Sequence, residues 1–202
     1  MDTFSDLFTR TVSSLCMLFI TISAVYSGGY LYNFVLFIVS FIAYIEWYLM
    51  SCCEHLLQYQ SIGFIIIAFF QHSILLFKNN TSALIKLLAI VWTSDSSAYI
   101  FGSYIGGRKF SLFSPNKTYS GLFAGIICGT LVGVILDTEI YKGIIISSFC
   151  QLGDYTESIC KRVANIKDSN IPGLSIPGHG GILDRCDGLI LATPIAYVLL
   201  YK

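Results

Sequence analysis

Seven apolar blocks alternate with polar breaks along the chain. They run Thr11–Ser27, Tyr30–Met50, Ser61–Phe77, Ala83–Ile105, Ser120–Leu136, Ile140–Leu152 and Gly188–Tyr201. A helix that crosses the hydrocarbon core of a bilayer needs roughly 20 apolar residues. Several blocks fall short of that and would complete a crossing only with their polar flanks. The pattern predicts an all-α, polytopic integral membrane protein of about seven transmembrane segments.

Two longer polar stretches stand out, Gly106–Tyr119 and Tyr155–Asp187. Lys and Arg concentrate on the cytoplasmic side of membrane proteins. With the N-terminus in the cytoplasm, Arg10, Arg108, Lys109, Lys117, Lys161, Arg162, Lys167 and Arg185 fall inside, against Lys78, Lys86, Lys142 and Lys202 outside. That orientation puts both polar loops on the cytoplasmic face of a multi-pass membrane protein, in the inner or plasma membrane if the source is bacterial. The loops are too short and too punctuated by Gly and Pro to be separate domains. The chain therefore reads as one membrane domain, with N-terminal helices over residues 1–91 and a catalytic region over residues 92–202. Tyr26, Tyr30, Tyr32, Tyr44, Trp47 and Tyr48 cluster near segment ends, as interfacial aromatics do. Glu46 lies close enough to a segment end to reach the interface.

Composition agrees. Of 202 residues 55% are hydrophobic and only 12% charged, about half the charge of a soluble domain, and the mean hydropathy is +0.72. The formal net charge is zero, which gives no bulk attraction to nucleic acid. The cysteines are Cys16, Cys52, Cys53, Cys128, Cys150, Cys160 and Cys186. Their odd count and the lack of a C-x-x-C pair argue against a disulfide framework or a zinc site. The opening "MDTFSDLF" carries two acids where a cleavable signal would be basic, so the first apolar block is expected to be retained.

Three constellations could carry chemistry. In "QLGDYTESICKRVANIKD", Asp154, Ser158, Lys161, Asn165 and Asp168 recur at helical spacing and share one face. The stripe suits either an interfacial amphipathic helix with internal ion pairs or a charged site at the membrane boundary. In "IPGHGGILDRCDG", Gly178, Gly180 and Gly181 permit close approach of a phosphate to backbone amides. Asp184 and Asp187 follow, three apart at the start of the last segment. Either they share an oxygen-liganded cation such as Mg²⁺, or Asp184 caps the helix and Arg185 pairs with Asp187. In the third stretch, Asp95 sits inside an apolar segment, where a carboxylate normally faces a cavity or a partner. Gly102, Gly106 and Gly107 thin that segment for close helix contact. His55 and His72 are isolated, whereas His179 stands between glycines beside the acids.

These residues carry a resemblance. The C-terminal region, from about Trp92 onward, resembles the phosphatidate cytidylyltransferase (CDP-diacylglycerol synthase) family. The signature residues are Ser158, Lys161, Arg162, Lys167 and Asp168, then His179, Gly180, Gly181, Asp184, Arg185 and Asp187. Gly153-Asp154 precedes them, and Asp95, Ala98-Tyr99, Ser114-Pro115 and Lys117-Thr118 fit an upstream block. The chain departs from the pattern in a loop three residues longer between Asp168 and His179. Cys160 replaces an aliphatic residue, Ser120 replaces the usual Glu, and the chain is short for the family.

The resemblance implies that CTP and phosphatidate give CDP-diacylglycerol and pyrophosphate at the cytoplasmic interface of the bilayer. It implies Mg²⁺ on Asp154, Asp184 and Asp187, and leaves room for a second, monovalent cation such as K⁺. Lys161 joins the three aspartates as catalytic. Phosphates and substrate would be contacted by Lys161, Arg162, Arg185, Ser158, Lys117 and Ser114, with Asp95 nearby. His179, Gly180 and Gly181 would shape a phosphate-binding turn, and Lys167 and Asp168 would orient the loop. A homodimer is suggested as well. The rival expectations are a CTP-dependent lipid or polyprenol kinase, a CDP-ether-lipid synthase, and an ion-coupled transporter. The last would favour inverted repeats, which the sequence does not show.

Overall fold

A computed structural model describes residues 16–17, 19–52, 57–109, 117–166 and 181–200. Helices account for each of the seven apolar blocks. Residues 19–27 are helical and are followed by α1 (Gly29–Ser51), α2 (Gln60–Leu76), α3 (Thr81–Tyr104), α4 (Tyr119–Ile135), α5 (Ile140–Val163) and α6 (Leu183–Leu200). Short 3₁₀ turns at Leu57–Tyr59 and Phe77–Asn79 flank α2. Among the described residues there is no named strand, only an isolated bridge between Lys109 and Thr118.

Local chemistry sets the helix ends. Gly28 and Gly29 adopt φ of 57° and 53°, a left-handed conformation that interrupts the helix before α1. Asn80 Oδ1 accepts the amide of Ala83 at 3.0 Å and caps α3, and Thr118 Oγ1 accepts that of Gly121 at 3.2 Å and caps α4. Two helices stop in the same way at a non-glycine left-handed residue. Asp137 (φ 58°) ends α4, with Thr138 N donating to Gly133 O. Asn165 (φ 57°) ends α5, with Ile166 N donating to Lys161 O. Both are Schellman closures, which satisfy carbonyls the helix would leave free.

Two helices outrun their apolar blocks. α5 continues past Leu152 to Val163, as the helical spacing of its polar stripe implies, and α6 begins at Leu183 rather than Gly188. The added turns of α5 are polar, yet Gly153 and Glu157 are buried. One face of the extension packs inside the protein, so hydropathy alone truncates the helix there.

The packing depends on small residues. Gly121, Gly125, Gly129 and Gly133 recur every fourth position along α4 and turn toward α3. A Cβ on Gly121 would lie 2.6 Å from the Ala98 carbonyl oxygen, and one on Gly125 3.0 Å from that of Ser94. Such contacts hold membrane helices together where lipid removes the hydrophobic drive between them. Leu87, Ile90, Val91, Ile146, Cys150, Ala192 and Thr193 form the densest core between α3, α5 and α6. The periphery is apolar as well: Phe34, Phe37, Phe41, Phe69 and Phe123 are exposed, a surface unsuited to water. Gly29–Ser51, Leu57–Asn79 and Thr81–Tyr104 are each long and apolar enough to cross a membrane.

The Gly121 contact is against backbone and cannot be relieved by a rotamer change. Gly121→Ala should destabilise by about 1–3 kcal/mol, read as a lower unfolding midpoint in detergent micelles. An unchanged midpoint would show that α3 and α4 are not this close.

Candidate active site

Three helices deliver acids to one end of the bundle. On α5, Cys150, Asp154, Glu157 and Lys161 follow intervals of four, three and four, so they form one stripe. Gly153 lies beside that stripe, and a Cβ there would collide with the Asp187 carbonyl. In return, a Cβ on Gly188 would sit 2.8 Å from Cys150 Sγ and 3.4 Å from Asp95 Oδ2. Glycines on both partners thus bring α6 against α5 closely enough for Asp187 to come within electrostatic reach of Asp154 and Asp95. Asp95 itself, from α3, accepts the Cys150 thiol at 3.0 Å.

Lys161 bridges the two helices. Its Nζ lies 2.6 Å from Glu157 Oε2 and 2.9 Å from Asp184 Oδ1. The other Asp184 oxygen accepts the Gly181 amide at 3.0 Å. These groups lie beyond the apolar stretches of α5 and α6. Burial pushes the Glu157 carboxyl up to about 9. Burial also opposes charge on Asp184, but hydrogen bonds from Glu157, Lys161 and the Gly181 amide outweigh it and hold that carboxyl at about 2. Lys161 is thus shared between a carboxyl whose charge burial disfavours, Glu157, and one held in its charged form, Asp184. Lys117, just before α4, pairs with Asp154 at 2.7 Å.

The remaining expected residues divide. Ser158 is half-buried on α5, and Arg162 and Arg185 are exposed at the same end of the bundle. Ser114, Lys167, Asp168, His179 and Gly180 lie outside the described residues. Ser120, where a glutamate was expected, hydrogen-bonds to the Gly106 carbonyl and to the Thr118 hydroxyl, tying the loop to α4.

The sequence reading missed two acids. Glu157 falls on the charged stripe but was not counted in it. Glu46, on α1 and left without a role, is buried inside the protein at 3% exposure. Its Oε1 accepts the Ile182 amide at 2.9 Å and its Oε2 the Leu183 amide at 2.6 Å. The signal was available, because a carboxylate in an apolar span needs a partner. The amides of Gly181, Ile182 and Leu183 are thus given to Asp184 and Glu46, while the rest of the expected phosphate-binding turn, His179 and Gly180, lies outside the described residues.

Among the described residues, no group of three His, Cys, Asp or Glu side chains forms a ready metal cage. Mg²⁺ rarely uses one; it takes one or two carboxylates and completes its shell with water and substrate phosphates. Asp154 and Asp187 repel each other across the helix contact, and they supply the hard oxygen donors such an ion needs. Asp184 could join them only by releasing Lys161.

Comparison with known proteins identifies the chain's relatives. A family model described as "Cytidylyltransferase family" matches residues 54–202. A phosphatidate cytidylyltransferase of Staphylococcus epidermidis is 42% identical over 124 residues, which are 56% of this chain and 46% of the relative. The enzyme of the same name from Staphylococcus haemolyticus is 41% identical over 124 residues, with the same shares. That of Synechocystis is 40% identical over 129 residues, 58% of this chain and 43% of the relative. The chain thus spans less than half the length of the curated relatives it matches.

Removing the cation that bridges α5 and α6 should be costly. Lys161→Met leaves Asp184 charged and half-buried, and should lower the unfolding free energy by about 3 kcal/mol. Arg162→Met, at the exposed neighbour, should stay within about 0.5 kcal/mol of wild type. Equal effects of the two substitutions in a denaturant titration would refute the bridge.

Proposed function

The chain belongs to the cytidylyltransferase family, and we propose that it transfers the cytidylyl group of CTP to phosphatidate, giving CDP-diacylglycerol and pyrophosphate. The observation that carries this reading is the Lys117–Asp154 and Lys161–Asp184 ion cluster within the family-matched residues, at the polar end of an apolar helical bundle. One substrate is held by lipid and the other is a charged nucleotide, so the site belongs at a water–membrane boundary. Seven crossings and a cytoplasmic N-terminus put that boundary on the inner face, where Arg108, Lys109, Arg162 and Arg185 add positive charge.

The phosphatidate phosphate attacks the α-phosphorus of CTP, and pyrophosphate departs in line. Such transfers depend on alignment and charge neutralisation more than on covalent catalysis. Asp154 and Asp187 would hold Mg²⁺, with Asp184 joining when Lys161 turns to phosphate. The bound ion would neutralise the leaving pyrophosphate. Lys117 and Lys161 each hold an acid in the free protein. With nucleotide present they would exchange those carboxylates for phosphate oxygens, and Arg162 and Arg185 would approach from the exposed side. Asp95, held by the Cys150 thiol, would keep the acid cluster negative behind Asp187.

Purified chain in lipid, given CTP, phosphatidate and Mg²⁺, should release pyrophosphate. Asp187→Asn should lower turnover by about 100-fold or more. Release of CDP instead of pyrophosphate would make the protein a CTP-dependent kinase, and full turnover by the Asn variant would remove Asp187 from the chemistry.

A further inference from the structure

Glu46 lies outside the family-matched residues 54–202, on a helix far in sequence from the acid cluster. It is buried, and both its oxygens are spent on the Ile182 and Leu183 amides. Amides in the first turn of a helix have no acceptor within it, and the helix dipole makes that end favourable to an anion. The carboxylate therefore answers two needs: α1 gains a partner for an acid in an apolar span, and α6 gains a cap.

The cap sits where α6 enters the site. Leu183 directly precedes Asp184, which reaches Lys161, and one turn further Asp187 meets Gly153 of α5. Fixing the 182–183 backbone fixes the direction in which both aspartates leave the helix. It also fills amides that would otherwise be free to draw a phosphate away from the lysines. Resting on the function proposed above, we propose that Glu46 is a positioning residue: through the amides of Ile182 and Leu183, α1 sets the placement of Asp184 and Asp187. A glutamine there keeps one acceptor and turns its NH₂ group toward the other amide, whereas alanine removes both acceptors.

The test compares wild type, Glu46→Gln and Glu46→Ala as full chains in lipid nanodiscs, by amide hydrogen exchange and by steady-state kinetics well below the unfolding midpoint. In Glu46→Ala the amides of residues 182–187 should exchange about tenfold faster, with α3 and α4 unchanged. Turnover should fall by about tenfold or more while KM for phosphatidate stays within about twofold. Glu46→Gln should lie between the two, and it keeps the comparison open if the alanine variant fails to fold. Unchanged exchange at 182–187, loosening that extends equally through α3 and α4, or a loosened turn with full turnover would each overturn the proposal. A wild-type chain that releases no pyrophosphate would overturn the assigned reaction, and the exchange data would still decide whether Glu46 holds α6.

Discussion

The Lys161 ammonium is what lets α5 and α6 meet at their polar ends. Each helix brings acids to the contact, Glu157 and Asp154 from one, Asp184 and Asp187 from the other. Carboxylates that face each other in a poorly screened setting repel. Lys161 neutralises Asp184 across the gap and contacts Glu157, whose charge burial disfavours, so the close packing near Gly153 and Gly188 is tolerated. Lys117 does the same for Asp154 from the end of the preceding loop. Both cations are held by the acids they would release to a phosphate.

Close approach is the second requirement, and it is met by residues with little side chain. Gly153 lies against the Asp187 backbone and Gly188 against Cys150, so the two helices meet almost backbone to backbone. The same device, repeated at Gly121, Gly125 and Gly129, seats α4 on α3. Asp95 on α3 is thereby carried to the back of the α5–α6 contact. The fold at this end is a means of bringing acids from three helices together without side chains in between.

Much of this was legible in the sequence. The seven apolar blocks correspond to helices because continuous hydropathy leaves little alternative, and the intervals of four and three between Asp154, Ser158 and Lys161 mark the stripe on α5. Hydropathy could not say where α5 and α6 pass from lipid to polar surroundings, because their polar turns are buried against protein. Partner choice was harder still. Lys161–Asp184 links positions 23 residues apart, and Glu46–Leu183 links the first described helix of full length to the last. Neither pairing leaves a periodic trace. Asp184 was open to two readings, a metal ligand or a cap. In the free protein it is bonded to a lysine and to the Gly181 amide.

The balance of charge also indicates where the cluster sits relative to the bilayer. Asp95, Asp154, Glu157, Asp184 and Asp187 gather around two lysines, Lys117 and Lys161, an excess of acid that burial in hydrocarbon would penalise heavily. Burial disfavours charge on Glu157, which eases part of that excess. Asp154 retains a third of its side-chain exposure, and Arg162 and Arg185 are exposed beside it. Deeper along the same helices, Leu87, Ile90 and Ile146 are sealed from solvent. α5 thus passes from a sealed apolar core at Ile146 to a partly solvated acid at Asp154, the gradient that the proposed lipid and nucleotide substrates would require. Asp154 remains open enough to solvent to meet a charged ligand, and the apolar stretch of the same helix continues inward from it.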